Sequence, residues 1–154
     1  MASEKTKEKI IIGWREWVSL PKLKIGRIKA KIDTGARSSS LHAVDLEFYK
    51  RNGNEYVKFK IFPEQKNSKK YIKTSARVIE YRKIKSSNGY TERRPVISTE
   101  INLMGQTWSI EITLTNRDEM GFRMLLGREG FRNKMLVDAG KSYYGEKNSV
   151  ITVK

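Results

Sequence analysis

The 154-residue chain carries 32 Lys+Arg against 17 Asp+Glu, a formal net charge of +15, with no cysteine and one histidine, His42. A chain of this length can bury a core without staples, and the lack of cysteine excludes a disulfide framework, Cys-based zinc sites and cysteine nucleophiles. One histidine leaves a His-rich metal site or a Ser–His hydrolase short of residues.

Taken in chain order, residues 1–8 read as a flexible basic tail, and residues 9–154 as a single domain without internal repeats. The tail leads into Ile10-Ile11-Ile12, too short an apolar run for a signal segment or a membrane span, so a cytoplasmic chain with no membrane contact is expected. Trp14 and Trp17 read as packing residues rather than a binding platform. Ile28, Ala30 and Ile32 alternate with Lys29 and Lys31, and Asp33-Thr34-Gly35-Ala36 follows at the strand's end. Residues 39–44 suggest a short helix. Val57, Phe59 and Ile61 alternate with Lys58 and Lys60 after the turn Arg51-Asn52-Gly53-Asn54, and residues 64–70 form a polar loop. Asn88-Gly89 is the strongest hairpin signal, followed by strands over 93–103 and 108–114 about a turn at Met104-Gly105-Gln106. The residues at 120–124 read as core, and Met124-Leu125-Leu126-Gly127-Arg128 is an apolar strand running into a short helix pattern over 128–134. Period-two alternation puts one strand face in a core and the other in water, so many short strands imply an all-β, barrel-like domain.

The charge is uneven. Residues 1–32 hold nine basic and three acidic side chains, and residues 66–95 hold ten against two. Residues 33–65 hold five of each, and residues 96–154 eight against seven. Such basic blocks attract carboxylate or phosphate partners, although lysines also protect exposed strand edges.

Asp-Thr-Gly by itself is also an ordinary turn after a strand. Here it stands first in an ordered series: Asp33-Thr34-Gly35-Ala36, a hairpin at Asn88-Gly89, two strands about Gly105, then Leu125-Leu126-Gly127-Arg128 and a short helix. That order, over residues 25–135, resembles the retropepsins, the single-domain aspartic proteases of retroviral type. Further motifs widen the resemblance to nearly the whole chain: Ile12-Gly13-Trp14-Arg15-Glu16-Trp17-Val18-Ser19-Leu20-Pro21, the run from Lys31 to Ala43, Arg94-Pro95-Val96-Ile97 and Leu136-Val137-Asp138. These are similar to a bacterial and archaeal family known as ATP-dependent zinc proteases, whose members resemble retropepsins and often occur beside ribosomal-protein glutamate ligases.

The resemblance implies a retropepsin-like closed barrel with one short helix after the Gly-Arg motif. It implies an aspartic endopeptidase in which Asp33, Thr34 and Gly35 form the catalytic loop. Substrate would be contacted by Ala36, Arg37 and Ser38 and by a flap tip of Ser87, Asn88, Gly89 and Tyr90. Leu126, Gly127, Arg128 and His42 would support the site, His42 as a hydrogen-bonded structural residue. With one Asp-Thr-Gly per chain, the carboxylate pair comes from a homodimer; Asp33 with Asp45, Asp118 or Asp138 is the alternative within one chain. Neither half of the family's name suits the residues, and no cofactor is expected. Zinc lacks its usual ligands, and Gly140-Lys141-Ser142 has Met135 where a phosphate loop needs its first glycine.

Retropepsins usually carry an acid four residues after the catalytic Asp, paired with the Gly-Arg arginine. Here that position is Arg37, so two arginines face each other and another group or an anion must brace the loop. The basic flap region favours an acidic peptide or protein substrate, such as a poly-glutamate-tailed protein. The second reading is a non-catalytic module of the same fold that binds acidic tails or RNA and regulates a partner such as a glutamate ligase.

Overall fold

A computed structural model describes residues 9–64, 69–85, 89–116 and 121–145. Eleven strands make up almost all of it: β1 (Ile10–Gly13), β2 (Arg15–Leu20), β3 (Ile25–Asp33), β4 (Ser39–His42), β5 (Val44–Arg51), β6 (Asn54–Ile61), β7 (Ile72–Lys85), β8 (Thr91–Leu103), β9 (Gln106–Thr115), β10 (Met124–Gly127) and β11 (Met135–Asp138). Nine of them hydrogen-bond in the order β2-β3-β10-β4-β9-β8-β7-β6-β5. Ser19 of β2 also pairs with Asn102 of β8, which closes the first six into a barrel and removes their free edges. The alternating positions of the sequence line its interior: Ile28, Ala30 and Ile32 from β3 meet Ile110, Ile112 and Leu114 from β9 in one continuous core, all at most 5% exposed.

β5, β6 and the first half of β7 extend the sheet beyond the barrel, and Val57, Phe59 and Ile61 are buried in the same core. Beyond Ala76 and Arg77, which pair with β6, β7 turns to pair with β8, making the long hairpin predicted as a flap. Pro95 lies where β8 leaves β9, since the β8–β9 ladder begins at Val96, so its missing N–H breaks no bond to that neighbour. Tyr81 straps the hairpin base to β6 by donating to Glu55 at 2.9 Å, and burial together with that carboxylate raises its phenol pKa. Hairpin turns sit where the sequence places them: Asn52 and Gly53, like Met104 and Gly105, have positive φ, as tight two-residue connections need.

Residues 39–44 are not the expected helix. Ser39, Ser40 and Leu41 are buried in β4, between β9 and β10, and a strand covered on both faces shows no period-two signal. The Gly-Arg motif is followed by a single 3-10 turn, Arg128–Gly130. The tail at residues 1–8 lies outside the described residues, as does the middle of the polar loop. Among the described residues no helix is long and apolar enough to cross a membrane.

One buried carboxylate ties β1 and β2 to the segment at Tyr144 and Gly145. Glu16, 1% exposed, accepts from the backbone N–H of Gly13 at 2.7 Å, Tyr144 at 2.8 Å and Gly145 at 3.1 Å. The segment it holds also takes the Trp14 N–H on the Lys141 carbonyl and gives the Tyr143 N–H to Arg15. Gly13 allows this approach, because a Cβ there would lie 2.4 Å from the Lys141 oxygen. Glu16→Ala strands three donors, and we expect it to destabilise the fold by about 3 kcal/mol in urea titration, with Glu16→Gln costing about 1 kcal/mol. A loss under about 0.5 kcal/mol for Glu16→Ala would contradict this role.

Candidate active site

β3 and β10 run parallel in the barrel wall, with Asp33 opposite Gly127. The chain leaves β3 in a tight turn: the Ala36 N–H donates to the Asp33 carbonyl at 3.3 Å, and the Gly35 N–H donates to Asp33 Oδ1 at 2.9 Å. The turn follows from the Asx habit of an aspartate two residues before a glycine. Asp33 is half-buried, whereas Thr34 and Gly35 are exposed at the rim.

The segment after the turn lies directly across the end of β10. Arg128 N–H donates to the Ala36 carbonyl at 2.8 Å, Glu129 N–H to that of Arg37 at 3.1 Å, and Gly127 N–H to Ser39 Oγ at 3.0 Å. A Cβ on Gly127 would stand 2.4 Å from the Ser38 carbonyl oxygen, so only glycine lets the two backbones meet. Arg128 Nη1 then reaches back 3.3 Å to the Thr34 carbonyl. Thus Leu126, Gly127 and Arg128 stand beside the Asp33 loop, whereas His42 lies at the opposite end of β4, next to Thr115 and Arg123. His42 Nδ1 is buried without a hydrogen-bond partner among the described residues.

Other groups meet the two arginines, as their like charge requires. Arg37 pairs with Glu129 at 3.7 Å, while Arg128 takes the Thr34 carbonyl. The acid has moved from the Asp33 loop to the residue after the Gly-Arg motif. The signal was there in the sequence: an acid directly follows Gly127-Arg128. Two of the alternative partners for Asp33 within the chain are engaged elsewhere. Asp45 is paired with Lys60 at 3.2 Å, and Asp138 accepts from the Gly140 N–H and the Tyr144 hydroxyl. Asp118 lies outside the described residues.

A cleft of about 740 Å³ opens beside this loop, lined by Arg37 and Ser38, by Arg82, Lys83 and Ile84 of the hairpin, and by Ser109 and Glu111 of β9. Asp33, Thr34, Gly35 and Ala36 lie outside its lining, as do Gly89 and Tyr90. Ser87 and Asn88 fall outside the described residues; Gly89 has φ +90° and Tyr90 is 65% exposed. The hairpin's charge is partly spent internally. Glu111, at 2.9 Å, and Glu80 bind Arg82 and raise its pKa, and Arg94, nearly buried, pairs with Glu92 at 3.0 Å. Among the described residues no three His, Asp or Glu side chains gather as a metal site would require.

The Gly127 contact makes a direct prediction. Gly127→Ala must push the Ser38 carbonyl aside, at a cost of about 2 kcal/mol, and speed amide exchange at Arg128 and Glu129. Unchanged stability and exchange would mean that the two segments do not depend on their close approach.

Residues 11–148 match the family model described as retropepsin-like aspartic endopeptidase RimB. A "Probable alpha-L-glutamate ligase" of Shewanella halifaxensis is 49% identical over 143 residues, which are 92% of this chain but 31% of that protein. One of the same name from Desulfotalea psychrophila is 45% identical over 84% of this chain and 28% of its own length. The chain therefore spans about a third of these relatives. The crystal structure of Lpg0085 from Legionella pneumophila, a protein of unknown function, superposes with a TM-score of 0.75 at 27% identity, covering 90% of this chain and 99% of that one. With its Asp-Thr-Gly turn braced by Gly127 and Arg128 at the rim of a six-stranded barrel, the chain belongs to the RimB-like family of retropepsin-like aspartic endopeptidases.

Proposed function

We propose that the protein is a homodimeric aspartic endopeptidase in which Asp33 from each of two subunits forms the catalytic pair. The observation that carries this reading is the Asp33-Thr34-Gly35 turn itself, exposed at the rim and rigidly backed by β10, while Asp45 and Asp138 are engaged elsewhere. Two such carboxylates close together share one proton, because both cannot ionise cheaply. The ionised member takes a proton from water as the water attacks the scissile carbonyl, and the protonated member gives its proton to the carbonyl oxygen. Thr34 bridges the two turns, and Gly35 leaves room for the substrate backbone. Gly89 and Tyr90, with Ser87 and Asn88 beside them in sequence, contact the substrate from the β7–β8 hairpin.

A surface suited to pairing supports the dimer. Ile11 of β1 and Leu136 of β11 lie opposite each other in the two-stranded sheet, 49% and 53% exposed. A second copy would cover both. The substrate is an acidic peptide, such as a glutamate tail added to a protein. Its support is the +15 charge, together with relatives that hold the same segment in longer chains named alpha-L-glutamate ligase.

Asp33→Asn is expected to lower cleavage of an oligo-glutamate-tailed peptide by about 10³-fold without unfolding the chain. Full activity in that variant would overturn the reading, and equal cleavage of acidic and neutral peptides at all salt concentrations would remove the acidic substrate. Ile11→Lys with Leu136→Lys is expected to yield inactive monomers by sedimentation; active monomers would contradict the shared pair.

A further inference from the structure

β3 alternates strictly from residue 27 onward. Ile28, Ala30 and Ile32 enter the core, and Arg27, Lys29, Lys31 and Asp33 share the outer face. At about 6.7 Å per two residues, the three cations span about 13 Å of one strand, and the row reaches the proposed catalytic carboxylate about 20 Å from Arg27. β2 adds to the same face, since Trp17 pairs with Lys29 and Arg15 with Lys31. Arg27 and Lys29 of β3, and Arg15 of β2, are held by rings. Arg27 lies 3.8 Å from the Trp17 ring centre and Lys29 5.2 Å, while Arg15 lies 4.6 Å from Trp14 and 4.9 Å from Tyr143. Tyr143 in turn stacks on Trp17 at 5.9 Å. The two tryptophans are therefore neither core nor idle surface. They fix long, otherwise mobile cationic side chains in place, so that less rotamer entropy is lost when an anion binds. At the far end, a hollow of about 370 Å³ lined by Trp17, Arg27, Lys29, Pro63 and Glu64 continues the face.

We propose that this face of β3 is a track that holds an extended acidic peptide on its way to Asp33. It rests on the protease reading above and adds a site remote from the flap. An extended peptide repeats its side chains on one face at the same spacing of about 6.7 Å as the cations, so carboxylates at alternate positions meet Arg27, Lys29 and Lys31 in register. Single-stranded nucleic acid needs ring faces for its bases. Trp17 already carries Arg27 and Tyr143, so the chemistry favours the peptide.

The test is binding of a fluorescent twelve-residue oligo-glutamate to the full chain carrying Asp33→Asn, which cannot cleave it. Adding Arg27→Glu and Lys29→Glu is expected to weaken binding at least tenfold, and Arg27→Gln with Lys29→Gln to weaken it less. Lys50→Glu with Lys58→Glu, an equal charge change on the β5–β6 hairpin, is expected to alter it less than twofold. Equal weakening by the two charge-reversed pairs would overturn the track in favour of net charge. Tighter binding of a twelve-residue oligouridylate that displaces the peptide would overturn it in favour of RNA. Wild-type cleavage with binding unaffected at Arg27 and Lys29 removes the track alone; binding lost at those residues without any wild-type cleavage removes the protease and leaves the track.

Discussion

The site depends on two backbones passing closer than any side chain allows. The Ser38 carbonyl lies where a Cβ of residue 127 would be, and around that contact the Ala36 and Arg37 carbonyls take the N–H groups of Arg128 and Glu129. The turn carrying Asp33 is thereby fastened to β10 by main-chain bonds, which no rotamer change can loosen. Rigid placement matters because a carboxylate pair shares a proton only at short separation, and small displacements of reacting groups are costly.

Charge is then arranged around this main-chain core rather than within it. Arg37 and Glu129 are both exposed, so their attraction contributes at most about 1 kcal/mol to stability. Much of the hairpin's positive charge is likewise absorbed by Glu80, Glu92 and Glu111. The outer face of β3, with ring-braced cations leading to Asp33, gives the +15 chain a directed field where the flap gives a partly compensated one.

Much of this was legible in the sequence, because half-buried strands announce themselves by alternation. Residues 28, 30 and 32, and 110, 112 and 114, entered the core as their spacing required. β4 carries no strand signal, because a strand buried on both faces has no polar phase, and Ser39 and Ser40 are small enough to pack there. The role of Glu16 was hidden for a different reason. Two of its three partners are main-chain N–H groups 128 and 129 residues away, and nothing in a local pattern distinguishes it from a solvated glutamate. The tryptophans were underestimated because the rings and cations that surround them come from β2, β3 and the segment at Tyr143, which only folding brings together.

The central claim is that one active site is built from two chains. Wild-type subunits exchanged with an equal amount of Asp33→Asn subunits test it directly, because a shared pair needs both partners intact. Activity per mole of wild-type chain is expected to fall by about half on mixing, as about half of the wild-type chains acquire an inert partner. Activity per wild-type chain that stays constant, despite demonstrated exchange, would contradict the account.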